Sequence, residues 1–218
     1  MSLRAEHVNR LIDLFVVVII CFGWPIVGSV WAMLAGFPTP PFNDAAFAGV
    51  VVEELILGGV ALAYLRLRGH ELAALVPRPT VPGSLVGLGL YALTALIFWA
   101  AYWLAGAPEP GAEPIEKMIA AASVSLPWIL GGSIVNGLFE EVFLTGYLLR
   151  ALIPYGASIA IGVPVLVRAV SHLYQGPLGT ISVIGVGVVF GVYYWRKRQL
   201  WPVVFAHIFA DIAGFVLR

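Results

Sequence analysis

The second half of this chain carries ionisable residues at helical spacing. They are Glu140, Glu141, Arg168, His172, His207 and Asp211. A carboxylate in an apolar setting suits a general base acting on water, and histidines can share the proton or stabilise an oxyanion. Asp211 lies one helical turn beyond His207, so we expect it to fix the tautomer of that histidine. These residue types predict water activation for hydrolysis.

Further polar residues accompany the glutamate pair in FEEVFLTGYLLR (139–150). Ser133, Asn136 and Glu140 follow at intervals of three and four, so they share one face of a helix. Asn136 is expected to donate a hydrogen bond to Glu140. Glu141 is turned by about 100° and shares a second face with Thr145. The spacing therefore predicts two polar faces on one helix.

A metal-dependent reaction is also open at this stage. Two histidines and a glutamate form a typical catalytic zinc set, which would here be Glu140, His172 and His207. HExxH spacing is absent, so the tertiary fold would have to assemble such a site. No G-x-S-x-G motif occurs and Cys21 is the single cysteine, which gives no support to a serine or cysteine nucleophile. The sequence leaves a zinc mechanism and a metal-free one open.

The composition predicts helices in a membrane as the elements that position these residues. Hydrophobic residues make up 61% of the 218, and charged residues only 11%. We expect an all-α polytopic membrane protein with about seven transmembrane helices, or six to eight, in one domain over 1–218. No basic tract for nucleic acid is present. The predicted spans are 11–34, 45–67, 83–106, 127–152, 157–173, 177–195 and 199–216.

The distribution of cations predicts how these spans are oriented. Nine lysines and arginines fall at one end of the predicted bundle, namely Arg4, Arg10, Arg66, Arg68, Arg78, Arg150, Arg196, Lys197 and Arg198. The opposite end has only Lys117 and Arg218. Because cytoplasmic loops are enriched in lysine and arginine, we expect a cytoplasmic N-terminus in a multi-pass integral membrane protein.

Other ionisable residues in the first half receive a structural interpretation. Asp13, His7 and His70 lie near predicted membrane edges, where we expect them to be solvated. Glu53 and Glu54 are expected to pair with Arg168 or to face a hydrated crevice. The glutamate pair at 140–141 is therefore the one predicted to do chemistry.

Three motifs resemble the CPBP family of intramembrane proteases, which includes CAAX prenyl endopeptidases and proteins linked to bacteriocin immunity. EEVFLTGYLL carries the diglutamate, RAVSHLYQG carries His172, and HIFAD carries His207 and Asp211. The resemblance covers about 130–215, within a core predicted over 127–216. It implies that Glu140 and His172 activate water, that His207 and Asp211 support an oxyanion, and that Glu141 orients the site.

Two positions depart from the family's pattern. Thr145 stands where the EExxxR motif has arginine, and Arg168 stands where FxxxH has phenylalanine. We interpret these as one relocation, in which the cation has moved to the next helix and still neutralises Glu141. The alternative is that the loss of the motif arginine marks a non-catalytic relative.

The leading hypothesis is an intramembrane endopeptidase whose site opens toward the cytoplasmic half of the bilayer, in a bacterial or archaeal cell membrane. Its partners would be lipid and a membrane-associated or lipidated peptide substrate; zinc is an open possibility and the oligomeric state is undetermined. The second hypothesis is an idle immunity or scaffold protein. The third is a small proton-coupled transporter using Glu53, Glu54, Glu140 and His172 as a relay.

Overall fold

The computed structural model describes residues 3–104, 106, 109 and 111–217, with side chains from residue 9 onward. The side chains of Arg4 and His7, and Arg218, lie outside the described residues. In the described ranges the helices are α1 (Leu3–Leu34), α2 (Asp44–Leu67), α3 (Val81–Leu104), α4 (Pro114–Ala120), α5 (Leu126–Glu140), α6 (Arg150–Leu152), α7 (Ala157–Ser171), α8 (Pro177–Lys197) and α9 (Trp201–Val216). A π-helical stretch, the π segment (Glu141–Leu149), joins α5 to α6 without a break.

Each of the seven predicted apolar spans is mainly helical over its described residues. Among the described residues, four helical stretches are long and apolar enough to cross a membrane, namely Asn9–Leu34, Asp44–Leu67, Val81–Leu104 and Pro177–Lys197. The apolar helices α7 and α9 are shorter, with 15 and 16 residues. The remaining span is the continuous run of α5, the π segment and α6. The predicted all-α polytopic membrane fold is thereby confirmed.

Two glycines set the turns that begin α7 and α8. Gly156 and Gly176 have φ of 91° and 92°, a region that side chains with a Cβ rarely adopt. A Cβ on Gly176 would also lie 2.4 Å from Cδ of Pro114. Pro177 then occupies the first turn of α8, where its missing N–H costs nothing. The turn follows His172, which comes directly after α7. It directs α8 back alongside α7.

The long helices pack in a closed sequence of neighbours. α1 packs on α2 and α7, α7 on α8, α8 on α3, α3 on α9, α9 on α5, and α5 on α2. Glycines permit close approach at two of these contacts. A Cβ on Gly137 of α5 would meet Cγ1 of Ile208 in α9 at 2.7 Å, and Gly58 of α2 lies against Phe139 of α5. The residues that follow Phe139 are therefore held between α2 and α9.

The prediction that Asp13 is solvated is wrong. Its side chain is buried, with the residue 4% exposed, although we expected it to be solvated. It accepts hydrogen bonds from Tyr64 Oη at 2.7 Å and Arg68 Nε at 2.7 Å, and lies 3.0 Å from His70 Nε2. These contacts raise the pKa of the Arg68 guanidinium. His70, also predicted to be solvated, has 32% of its side chain exposed and in addition contacts Asp13, because α1 and α2 meet at this end.

Candidate active site

Glu140 is the last residue of α5 and is buried between two basic side chains of the α7 region. Its Oε2 lies 3.2 Å from Arg168 Nη1, and its Oε1 lies 3.4 Å from His172 Nε2. Oε2 has no hydrogen-bond partner among the described residues, so its contact with Arg168 is an ion pair without hydrogen-bond geometry. The arrangement pairs a buried carboxylate with a guanidinium and directs its other oxygen at an imidazole.

His172 follows the last residue of α7, and its orientation is fixed by the backbone. Its Nδ1 lies 2.8 Å from the carbonyl oxygen of Arg168. A carbonyl only accepts, so Nδ1 carries a proton, and in the neutral imidazole Nε2, which faces Glu140, has the lone pair. The ring of Tyr174 stacks on the imidazole, with centroids 6.0 Å apart and planes at 29°. Two acceptors, Oε1 and Nε2, thus face each other, a geometry that calls for a proton or a hydrogen-bond donor between them.

Glu141 begins the π segment and is fully buried, with 0% of its side chain exposed. Arg168 Nη2 donates to its Oε1, which confirms the predicted ion pair between these residues. Thr145 Oγ1 donates to Oε2 at 2.6 Å, as their shared face predicted, and His207 Nδ1 lies 2.8 Å from Oε1. Three donors therefore surround this carboxylate. Glu141 fixes the positions of the Thr145, Arg168 and His207 side chains through these contacts.

His207 and Asp211 lie on α9 and meet Asn136 of α5. Asn136 Nδ2 donates to Asp211 Oδ2 at 2.9 Å and lies 3.3 Å from His207 Nε2. The predicted bond from Asn136 to Glu140 is therefore wrong, because Asn136 points to α9. The predicted role of Asp211 is also corrected. Glu141 holds His207 at Nδ1, while Asp211 Oδ1 lies 3.7 Å from Nε2.

A possible metal-ligand set differs from the predicted one. Donor atoms of Glu140, Glu141 and His207 lie within 4.8 Å of one another, whereas His172 is outside this group. Arg168 already pairs with both carboxylates, and His207 Nδ1 is engaged with Glu141. A divalent ion would have to displace that guanidinium, so these residues fit arginine better than zinc.

Glu54 of α2 interacts with the site residues, which the sequence did not predict. Its Oε2 is buried and has no hydrogen-bond partner in the part of the chain that the structure describes, and the side chain interacts electrostatically with Glu140, Asp211 and His207. Arg168 pairs with the other glutamates, so the predicted pairing of Glu54 with it is not seen. The position of Glu54 one helical turn before Gly58, which packs on α5, could have indicated that it faces the site.

Comparison with known proteins supports the assignment of this region. Residues 122–213 match the family model described as type II CAAX prenyl endopeptidase Rce1-like. The match spans α5, the π segment and α6 to α8, and it ends within α9. No curated protein and no solved structure matches the chain. The segment 122–213, which contains the glutamate pair, both histidines and Asp211, belongs to the Rce1-like type II CAAX prenyl endopeptidase family.

Proposed function

We propose that this protein is an intramembrane endopeptidase that hydrolyses a peptide bond with a water molecule activated by Glu140 and His172. The observation that carries the proposal is the 3.4 Å separation of Glu140 Oε1 from His172 Nε2. Both atoms are acceptors when the carboxylate is ionised, so a water molecule donating to both would be oriented and made more nucleophilic. The family match supports the same reaction class.

One residue must first accept a proton from water and later donate it to the leaving amine. Glu140 takes a proton from the water as the oxygen attacks the scissile carbonyl carbon. It then returns that proton to the amine nitrogen as the C–N bond breaks, leaving a carboxyl and an amine product. Arg168 Nη1, 3.2 Å from Oε2, supplies the positive charge beside the Glu140 carboxylate. His172 holds the water through Nε2 while its Nδ1 remains bonded to the Arg168 carbonyl.

The developing oxyanion needs donors. His207 can donate from Nε2 when both of its ring nitrogens carry a proton, because Nδ1 donates to Glu141. Asn136 then has its second N–H free to donate as well, since a protonated Nε2 does not accept. An ionised Asp211 has no proton to give, so its part is to hold the Asn136 amide at 2.9 Å. The His207 Nε2 edge lies beside the same amide, 3.3 Å away. Asp211, which the resemblance implies supports the oxyanion together with His207, would act through Asn136. Glu141 is a positioning residue, since it orients His207 and Arg168.

The proposed mechanism routes no step through a metal. Arg168 supplies the positive charge at the two carboxylates, a role for which a metal would otherwise be needed. The proposed substrate is a membrane-associated peptide segment, and the family's description makes a prenylated one the first class to examine. The lipid bilayer is the second partner, because many large apolar side chains face outward.

The test compares protein termini in membranes of cells that express wild type, Glu140→Gln or Glu53→Gln at equal levels. Glu53→Gln is the matched control, since it removes a charge from the other glutamate pair. We expect a set of new termini that is present with wild type and Glu53→Gln and lost with Glu140→Gln. Identical termini in all three would contradict the proposal and favour an immunity or scaffold role. A dependence on a proton gradient without cleavage would favour a transporter.

A further inference from the structure

Tyr174 lies beside the candidate active site, in the short turn between α7 and α8. Its ring stacks on the imidazole of His172, with centroids 6.0 Å apart. Its phenol interacts electrostatically with three carboxyl groups from three different helices, those of Glu54, Glu140 and Asp211. The side chain is therefore close both to the pair proposed to activate water and to the aspartate that holds Asn136.

Contacts with other helices fix the backbone around Tyr174. Its N–H donates to Oγ of Ser29, a buried residue of α1, at 3.0 Å. Four residues later, the N–H of Leu178 donates to Oε2 of Glu113, which precedes α4, at 3.0 Å. Gly176, between these two points, has the positive φ of the turn. Tyr174 is thus held in position before a substrate binds, as a preorganised catalytic group must be.

The hydroxyl proton of Tyr174 has no acceptor among the described residues. Gln175 Nε2 donates to Oη at 3.4 Å, and this contact uses a lone pair of the oxygen rather than its proton. A phenol has an ordinary pKa of about 10, so the proton stays on the oxygen at neutral pH. The side chain is partly exposed, which leaves the hydroxyl accessible to a ligand. An uncharged donor is therefore available beside a group of carboxyl oxygens.

We propose that the Tyr174 hydroxyl donates a hydrogen bond to the scissile carbonyl oxygen as it becomes an oxyanion, which makes Tyr174 a third donor beside Asn136 and His207. This inference rests on the proposed function. His207 donates from Nε2 only when both ring nitrogens carry a proton, whereas the phenol donates in either state of that histidine. Only a hydrogen bond forms, and no proton leaves Tyr174.

The charge of the surrounding groups explains why a third donor matters. An oxyanion that forms near three carboxyl groups is repelled by each one that is ionised. Arg168 cannot offset this repulsion, because its guanidinium is already paired with Glu140 and Glu141. A donor that is fixed in place and carries no charge stabilises the transition state without attracting these carboxylates as a cation would.

A role limited to supporting His172 makes a different prediction. The aromatic ring would hold the imidazole by stacking whether or not the hydroxyl is present. Tyr174→Phe keeps the ring and removes only the hydroxyl, so it separates the two roles. Tyr193→Phe is the matched control, since Tyr193 lies near the other end of α8, where its Oη donates to Gln199 at 2.8 Å.

The test measures cleavage of a peptide that spans a cleavage site found by the comparison of termini, with purified protein in liposomes. We expect Tyr174→Phe to lower kcat by about 10²–10³-fold, as loss of one oxyanion donor does, while KM stays close to wild type. Tyr193→Phe should match wild type in both constants. Activity of Tyr174→Phe equal to wild type would overturn the inference.

A binding measurement separates the oxyanion from the bound substrate. The ligands are the same peptide and its phosphinate isostere, whose anionic oxygens on tetrahedral phosphorus imitate the oxyanion. Binding is compared between Glu140→Gln, which prevents cleavage, and the double variant that adds Tyr174→Phe. We expect the added change to weaken isostere binding by more than about tenfold, as loss of a hydrogen bond to a charged group does, and to leave peptide binding unchanged.

The outcomes distinguish this inference from the proposed function. Unchanged peptide binding also shows that the Tyr174→Phe protein is folded. Equal weakening of peptide and isostere would overturn the oxyanion role. Cleavage by wild type that is lost in Glu140→Gln and kept in Tyr174→Phe would overturn the inference and leave the proposed function standing. Absence of cleavage by wild type would refute the proposed function and the inference together.

Discussion

Replacement of Arg168 by methionine tests whether one guanidinium holds the two site carboxylates. Arg168 is buried and contacts both Glu140 and Glu141. Removing one partner of a buried ion pair costs about 3–5 kcal/mol, because the remaining charge stays desolvated. Glu141 keeps its bonds from Thr145 and His207, so we expect the free energy of unfolding to fall by about 3–5 kcal/mol rather than more.

The assay is equilibrium unfolding of purified protein in mixed micelles. Arg66→Met is the matched control, since Arg66 is exposed at the end of α2 and should change the free energy of unfolding by less than about 0.5 kcal/mol. Adding Glu141→Gln to Arg168→Met removes one stranded charge, and the double-mutant cycle should show a coupling energy of about 2 kcal/mol. A cost below about 1 kcal/mol for Arg168→Met, with no coupling, would refute the reasoning.

Three further predictions address the relocated cation, the metal and the helix contact. Arg168→Phe combined with Thr145→Arg should retain cleavage activity, whereas an inactive double variant that still folds would count against relocation. Chelators and added zinc should leave cleavage unchanged, and a loss restored only by zinc would show that a metal is needed. Gly137→Ala should lower the free energy of unfolding by about 1–3 kcal/mol because its Cβ would meet Ile208 at 2.7 Å. Gly131→Ala is the control and should not lower it, since a Cβ there has no atom of the described residues within 4 Å. Equal effects of the two changes would contradict this packing argument.

Helical periodicity was sufficient to predict a contact within one helix. Glu141 and Thr145 share a face because they are four residues apart, and their hydrogen bond is present. The pairing of Arg168 with Glu141 followed from the family resemblance, in which the arginine missing at Thr145 is replaced by the one at Arg168. The seven apolar segments were visible because membrane helices need long apolar runs.

Contacts that depend on the relative placement of helices were not predictable from periodicity. Asn136 shares a face with Glu140, yet it bonds to Asp211, 75 residues away, because α9 lies against that face. Asp13 meets donors from the end of α2, more than 50 residues later, and so is buried where a solvated residue was predicted. The π segment has no sequence signature, since its wide turn depends on how the surrounding helices pack.

The central claim, that Glu140 activates water for peptide hydrolysis, is tested most directly by a cleavage rate. A peptide spanning a cleavage site found by the comparison of termini is incubated with purified protein in liposomes, using wild type, Glu140→Gln and Glu53→Gln. Loss of a general base should lower kcat by about 10²–10⁴-fold in Glu140→Gln, with Glu53→Gln close to wild type. Equal rates for Glu140→Gln and wild type would contradict the account.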